Sequence, residues 1–325
     1  MTLGKSDKVN LREGRDNVTD NRKLDESQET QSQFAVKSIK RDNSRLTAGL
    51  ETLGIFLNEY QLSQFENYYD ILIEQNKVMN LTAITNYEEV ITKHFLDSLS
   101  LVKVFKNFSK YLSENEMVRT DSDFTDSSEN DKIKEELESI SNNTLQFNSQ
   151  CFNGMKMLDL GTGAGFPGIP LKIAFPEVEV FLVDSLNKRI NFLRDVISAL
   201  KLEKVTAIHA RAEELGKKEE YREKFDICVS RAVAKLHLLS EYCIPFVRCG
   251  GSFISYKSGK TTEEINEGKY AIEKLGGKYK ETVVFSLPGT DIERGLVVIN
   301  KVRKTPSVYP RNAGKITKNP LLLGT

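Results

Sequence analysis

The chain has 325 residues with 46 basic and 46 acidic side chains, so any contact with a polyanion must come from local patches and not from global charge. Its four cysteines (Cys151, Cys228, Cys243 and Cys249) form no Cys-x-x-Cys pair and lie mostly in apolar context, which reads as reduced thiols and argues against a disulfide framework or a metal site. No apolar run approaches a membrane span and the amino terminus lacks the apolar core of a signal peptide, so a cytoplasmic protein without membrane contact is expected.

Residues 1–45 carry charges of both signs and few apolar side chains; they cannot bury enough surface to offset the entropy of ordering and are expected to be disordered. A helical subdomain is expected over 46–112. Leu62, Phe65, Tyr69 and Leu72 recur at three- and four-residue steps, one face of an amphipathic helix. Thr85-x-x-Glu88 resembles a capping box that opens a second helix through Val90, Ile91, Phe95 and Leu99. His94 and Asp97, three apart on that helix, fit a hydrogen-bonded structural pair better than a catalytic one. Residues 113–150 hold ten acids against three bases and read as an acidic, flexible insertion, with a short helix near 133–140. Its charge should keep it away from any nucleic-acid face.

A sheet domain is expected over 151–303. The run from Met157 ends in Asp159, four glycines follow within eight residues (Gly161, Gly163, Gly165, Gly168), and a helical pattern begins, with Pro167 and Pro170 in its first turn. Strands are expected at 178–184, 205–210, 225–232, 251–257, 280–287 and 296–302. Helices separate the earlier ones. Only Pro288 and Gly289 punctuate the gap between the last two, which must therefore be antiparallel. The alternation predicts a Rossmann-like α/β fold with ligands at the carboxyl ends of the strands.

Two ligands compete for the glycine loop. Gly163-x-Gly165-x-x-Gly168 fits a dinucleotide fingerprint, and Asp159-x-Gly161-x-Gly163-x-Gly165 fits the loop of S-adenosylmethionine (SAM) methyltransferases. Asp159 favours the second, because a carboxylate there repels a phosphate and attracts a cationic methionine moiety. No hydride-transfer pair adjoins the loop, which weakens the reading as an NAD-dependent oxidoreductase. Asp184, 23 residues past Gly161, is placed to accept both ribose hydroxyls. Ala212 and Glu213 follow the third strand and suit the adenine edge, with a helix-cap role as the alternative for Glu213. Phe166 either packs on the ligand or belongs to the core, and Arg231 closes the fourth strand where the methyl group would be presented. The segment 304–325 is a basic tail without an acid, either a phosphate contact or a solubilising terminus.

These motifs resemble the bacterial ribosomal RNA small-subunit methyltransferase G family, also called glucose-inhibited division protein B. The likeness spans about 50–112 and 151–322 and rests on ordered blocks: Asn76 to Thr82, Lys93 to Ser98, Asp159 to Pro170, Asp184 to Leu193, Ser230 to Ala232 and Tyr309 to Gly314. The extension and the acidic insertion depart from it. The resemblance implies a class I SAM-dependent methyltransferase: a seven-stranded sheet, parallel except for an antiparallel C-terminal strand, behind a helical subdomain. It implies methylation of N7 of one guanine in 16S ribosomal RNA, with the small subunit as partner; a monomer is plausible. Its ligand positions carry over to Gly161, Phe166, Ala212, Glu213 and Arg231, with Gly163, Gly165 and Asp184 argued above from the residues. Guanine N7 has a lone pair and no proton, so no general base and no metal are expected. Lys188, Arg189, Arg211, Lys257, Arg311 and Lys315 are the candidate RNA contacts. The rival readings are a SAM enzyme with a protein or small-molecule acceptor, an NAD-dependent oxidoreductase, and a ribosome-binding module without turnover.

Overall fold

The computed structural model describes residues 41–105, 152–231, 234–259 and 261–323, all within one compact unit. The extension through residue 40 and the insertion at 113–150 lie outside the described residues.

Among the described residues, three helical segments precede the sheet. Helix α1 is Ser44–Thr52 and α2 is Glu59–Met79. A reciprocal cap starts α2: Asn58 Oδ1 accepts from the Gln61 amide at 2.8 Å, and Gln61 Oε1 accepts from the Asn58 amide at 3.0 Å. The expected apolar stripe is buried at Phe65, Tyr69 and Leu72, with Tyr68 fully buried beside it. The third segment runs from α3 (Tyr87–Val90) through a π-helical stretch, Ile91–Leu96, into α4 (Asp97–Leu99) and a 3₁₀ turn, Ser100–Val104. Its cap lies one residue later than expected. Asn86, not Thr85, accepts from the Glu89 amide at 3.2 Å, because the Asn86 backbone is extended while Tyr87 is already helical.

The sheet contains β1 (Lys156–Leu160), β2 (Glu179–Asp184), β3 (Val205–His209), β4 (Phe225–Ser230), β5 (Val247–Ser258), β6 (Gly277–Ser286) and β7 (Glu293–Lys301), in the order β3-β2-β1-β4-β5-β7-β6. Strands β1 to β5 pair parallel, and β7 runs antiparallel to both β5 and β6. The connecting helices are α5 (Gly168–Ala174), α6 (Asn187–Ala199), α7 (Ala212–Leu215), α8 (Leu236–Cys243) and α9 (Thr262–Lys274); α10 (Ala313–Lys318) closes the chain. Alternating residues of β1 serve opposite cores: Met157 faces one cluster, Leu158 and Leu160 the other.

The amino-terminal helices have no core of their own. Leu46, Phe65, Tyr68 and Phe95 share one apolar cluster with Met157, Leu182 and Val298 of the sheet. Polar side chains tie the same interface: Gln61 Nε2 donates to Ile173 O at 2.7 Å, and Gln64 Nε2 donates to Leu200 O at 2.7 Å. The Tyr68 hydroxyl also donates to Ala164 O in the turn after β1, and that places the helices at the site. No helix among the described residues is long and apolar enough to cross a membrane.

Candidate active site

The turn after β1 is built around Asp159. Its Oδ2 accepts from Thr162 Oγ1 at 2.6 Å and from the Gly168 amide at 2.9 Å, so the loop wraps the carboxylate. Sequence reasoning has the Asp159 carboxylate attract a cationic ligand; the structure buries it completely, with Oδ1 enclosed and unpaired. Internal donors within the loop explain the difference, since a buried carboxylate needs them. Burial pushes this carboxyl up to about 6.

The glycines divide by role. Gly161, Gly163 and Gly165 have φ of 72°, 62° and 100°. A Cβ on Gly163 would meet nothing within 4 Å, so the loop is open above it. One on Gly165 would lie 2.6 Å from Ile169 Cγ1 and 2.8 Å from the Tyr68 hydroxyl. Gly165 is thus a packing residue, held where Tyr68 donates its hydroxyl hydrogen to Ala164 O.

Beside Gly161 lies a cavity of about 410 Å³, walled by Asp184, Arg189, Arg211, Ala212, Glu213 and Ser230. Asp184 ends β2 almost fully buried; Oδ2 accepts from the Gly163 amide at 3.0 Å and Oδ1 from the Leu186 amide at 2.9 Å. Tyr242 and Ala313 complete the wall, and no motif pointed to either. Phe166 does not line it. Its ring stacks on His94 at 4.6 Å, with Tyr68 at 5.4 Å and the Arg231 guanidinium 5.1 Å from its centre. The core-packing alternative describes Phe166, because the helical subdomain covers that face of the loop.

A second, larger cavity of about 830 Å³ opens next to the first. Arg231 lines it where its neighbour Ser230 lines the smaller one, and Ala234 lines both. Arg231 donates to Asp97 Oδ2 at 3.0 Å and to Lys93 O at 3.2 Å, and Arg294 donates to Asp97 Oδ1 at 3.1 Å. His94 and Asp97 are therefore joined through Arg231 and not directly. Nothing near Arg294 in the sequence marks it for this role.

The model of the family described as rRNA small subunit methyltransferase G matches residues 61–113 and 130–293. The ribosomal RNA small subunit methyltransferase G of Lachnoclostridium phytofermentans is 52% identical over 87% of this chain and 98% of its own length. The chain belongs to the small-subunit methyltransferase G family. The protein of that name from Acetivibrio thermocellus is 43% identical over 85% of this chain and 95% of its own. Among solved structures, M. jannaschii TYW2 in complex with AdoMet aligns with 48% of this chain and 71% of its own, at 18% identity and a TM-score of 0.37.

In this methyltransferase G family member the candidate RNA contacts separate by exposure. Lys188, Arg211 and Lys315 are exposed, on the first turn of α6, just before α7 and on α10. Arg189 is half-buried and pairs with Asp184 at 3.2 Å. Lys257 does not face solvent: its Nζ donates to Ala234 O at 2.7 Å and to Glu264 at 2.5 Å. Arg311 is likewise taken, in a two-pronged pair with buried Glu241 at 2.9 and 2.7 Å. The tail is a fastened strap, because Arg222 also donates to Tyr309 O at 2.7 Å and to Thr305 O at 2.8 Å.

Burial, reinforced by the Arg231 charge, holds the His94 imidazole down at about 4. An unfolded histidine titrates near 6.5, so between there and 4 the unfolded chain binds the extra proton and His94 lowers stability as pH falls. Asp159 has the opposite sign: its raised carboxyl contributes stability at low pH that is lost as pH rises through about 6. A His94→Gln variant removes only the first effect. Relative to the parent it should gain up to roughly 3 kcal/mol as pH is lowered from about 6.5 to 4, read from urea midpoints. A difference independent of pH would show that folded His94 keeps an ordinary affinity for protons.

Proposed function

We propose that this chain transfers the methyl group of SAM to N7 of a guanine in 16S ribosomal RNA, acting in the cytoplasm on the small ribosomal subunit. The observation that carries the reading is the pair of adjoining cavities, one lined by Gly161 of the glycine loop and by Asp184, the other beginning at Arg231. A donor in the first and a base in the second meet at the end of β4.

The residues fit SAM. The opening above Gly163 leaves room for a ligand against the backbone, and the buried Asp184 carboxylate suits ribose hydroxyls. Glu213, 8% exposed on the cavity wall, suits the amino edge of adenine. The loop suits a diphosphate poorly, since the Gly163 N–H already donates to Asp184 and presents a carboxylate where a phosphate would bind. That disfavours the NAD reading. SAM supplies an electrophilic methyl on a positively charged sulfonium.

What remains for the chain is to hold two reactants in line, worth about 7–11 kcal/mol when the alignment is good. Nitrogen N7 attacks through a lone pair, so no proton leaves first. The nearby titratable groups match this. His94 is neutral, with Nε2 2.9 Å from Thr82 Oγ1 and Nδ1 3.1 Å from Lys93 O. Burial raises the Tyr68 and Tyr256 phenols, which act as donors to Ala164 O and Ser98 O.

Incubation with methyl-labelled SAM and undermethylated small subunits should label the RNA, with primer extension locating one guanine. Saturating SAM should stabilise the fold by about 2.7 kcal/mol at a hundredfold excess over Kd and so raise the melting temperature, whereas NAD should not. Absence of label across all assembly states, with SAM still bound, would favour a binder without turnover. Lys188, Arg211 and Lys315 should each contribute about 0.7–0.9 to the slope of RNA affinity against salt. Their alanine variants should lose that amount singly, and Lys257→Ala should leave the slope unchanged.

A further inference from the structure

We propose that Glu264 selects the acceptor base as guanine, its carboxylate accepting hydrogen bonds from N1–H and the 2-amino group of a base seated in the larger cavity. The inference rests on the guanine-N7 reading and deepens it by naming the base edge that is recognised.

An acid facing a polyanionic substrate is electrostatically adverse, so an acid fixed inside the acceptor cavity calls for a chemical reason. Among the described residues, four acids line that cavity: Asp97, Glu263, Glu264 and Glu267. Asp97 is fully used, one oxygen on Arg231 and the other on Arg294. Glu263 is exposed, and Glu267 pairs at 3.2 Å with Lys235 in a contact whose side chains are 47% and 65% exposed. These two belong to a solvated face.

Glu264 differs from them. Its side chain is 26% exposed and is held at 2.5 Å by Lys257, itself only 9% exposed. The same Lys257 ammonium donates to the carbonyl of Ala234, the residue that lines both cavities. The carboxylate is thus fixed one side chain away from the junction where transfer takes place. The lysine engages Oε1; Oε2 has no partner among the described residues.

A purine offers such a group a definite match. When N7 faces the donor, the N1 and C2 positions lie on the far side of the ring system. In guanine both carry hydrogens, two roughly parallel donors that fit two carboxylate oxygens. Adenine presents a lone pair at N1 and no amino group at C2, so the same carboxylate repels it. Each hydrogen bond to a charged acceptor is worth about 1.5–3 kcal/mol. Lys257 would hold the Glu264 carboxylate aimed, which also accounts for that lysine being turned inward.

The test uses the full chain with guanosine and inosine monophosphates, which differ by the 2-amino group. The parent should bind the guanosine nucleotide about tenfold more tightly. Glu264→Gln should lose most of that preference while binding SAM as before. With small subunits, the same variant should lose about tenfold or more in kcat/KM at unchanged SAM affinity. If Glu264→Gln does not fold, Glu264→Asp, which keeps the charge but shortens the reach, is read in the same way. A preference that survives the substitution, or a parent that shows none or binds neither nucleotide at millimolar concentration, overturns the proposal. Absence of RNA labelling by the parent overturns the methyltransferase reading instead, and the two failures are separately visible.

Discussion

Replacing Gly165 by alanine should destabilise the protein by about 3–5 kcal/mol and abolish SAM binding at ordinary temperatures. Two effects add. The residue has φ of 100°, outside the range that an L side chain adopts without strain. A Cβ there would lie 2.6 Å from Ile169 Cγ1, 2.8 Å from the Tyr68 hydroxyl and 3.0 Å from Leu193 Cδ2. The isoleucine and leucine tips can shift slightly, but Tyr68 is fully buried and bonded to Ala164 O, so moving it strands a polar group in the core. Gly163→Ala provides the contrast. Its Cβ meets nothing, so stability should drop by only about 1 kcal/mol, while SAM affinity falls because the methyl group enters the space above the loop. Urea denaturation and SAM titration on both variants separate the roles. An unchanged midpoint for Gly165→Ala would falsify the assignment of Gly165 to packing.

Much of this was legible in the sequence, for identifiable reasons. The strands and their order of appearance follow from apolar runs punctuated by glycines, and the antiparallel last pair from the lack of a helix between them. Gly161, Asp184, Ala212 and Glu213 are local to strand ends, so their convergence on one cavity follows from the fold class alone. What escaped was long-range pairing. Tyr68 reaches the loop across 96 residues, Arg294 reaches Asp97 across 197, and Arg311 reaches Glu241 across 70. Periodicity carries no information about such partners, and a charged side chain looks alike in sequence whether it faces water or a buried carboxylate. The basic tail is the clearest instance. Composition leaves phosphate contact and solubilising terminus both open, but the Arg311 guanidinium donates to buried Glu241 at 2.9 and 2.7 Å. Only part of the tail charge remains for RNA.

Arg311→Ala should therefore act on the fold before it acts on RNA. The substitution leaves the Glu241 carboxylate, 1% exposed, without its two-pronged partner, and stranding a buried charge costs about 3–5 kcal/mol. The backbone amide of residue 311 still donates to Glu241, which recovers a little of that. Replacing both members by leucine should restore most of the loss, since apolar pairs of similar volume substitute well for buried ion pairs. The site should feel the change as well. Ala313, two residues beyond Arg311, lines the donor cavity, so a loosened strap should raise KM for SAM. Lys315→Ala, on the exposed side of α10, should leave stability and KM for SAM alone and change only the salt dependence of RNA binding. Were Arg311→Ala as stable as the parent at neutral pH and altered only in salt dependence, the tail would be the phosphate contact that its composition suggests. Glu241 would then have to be satisfied by another donor.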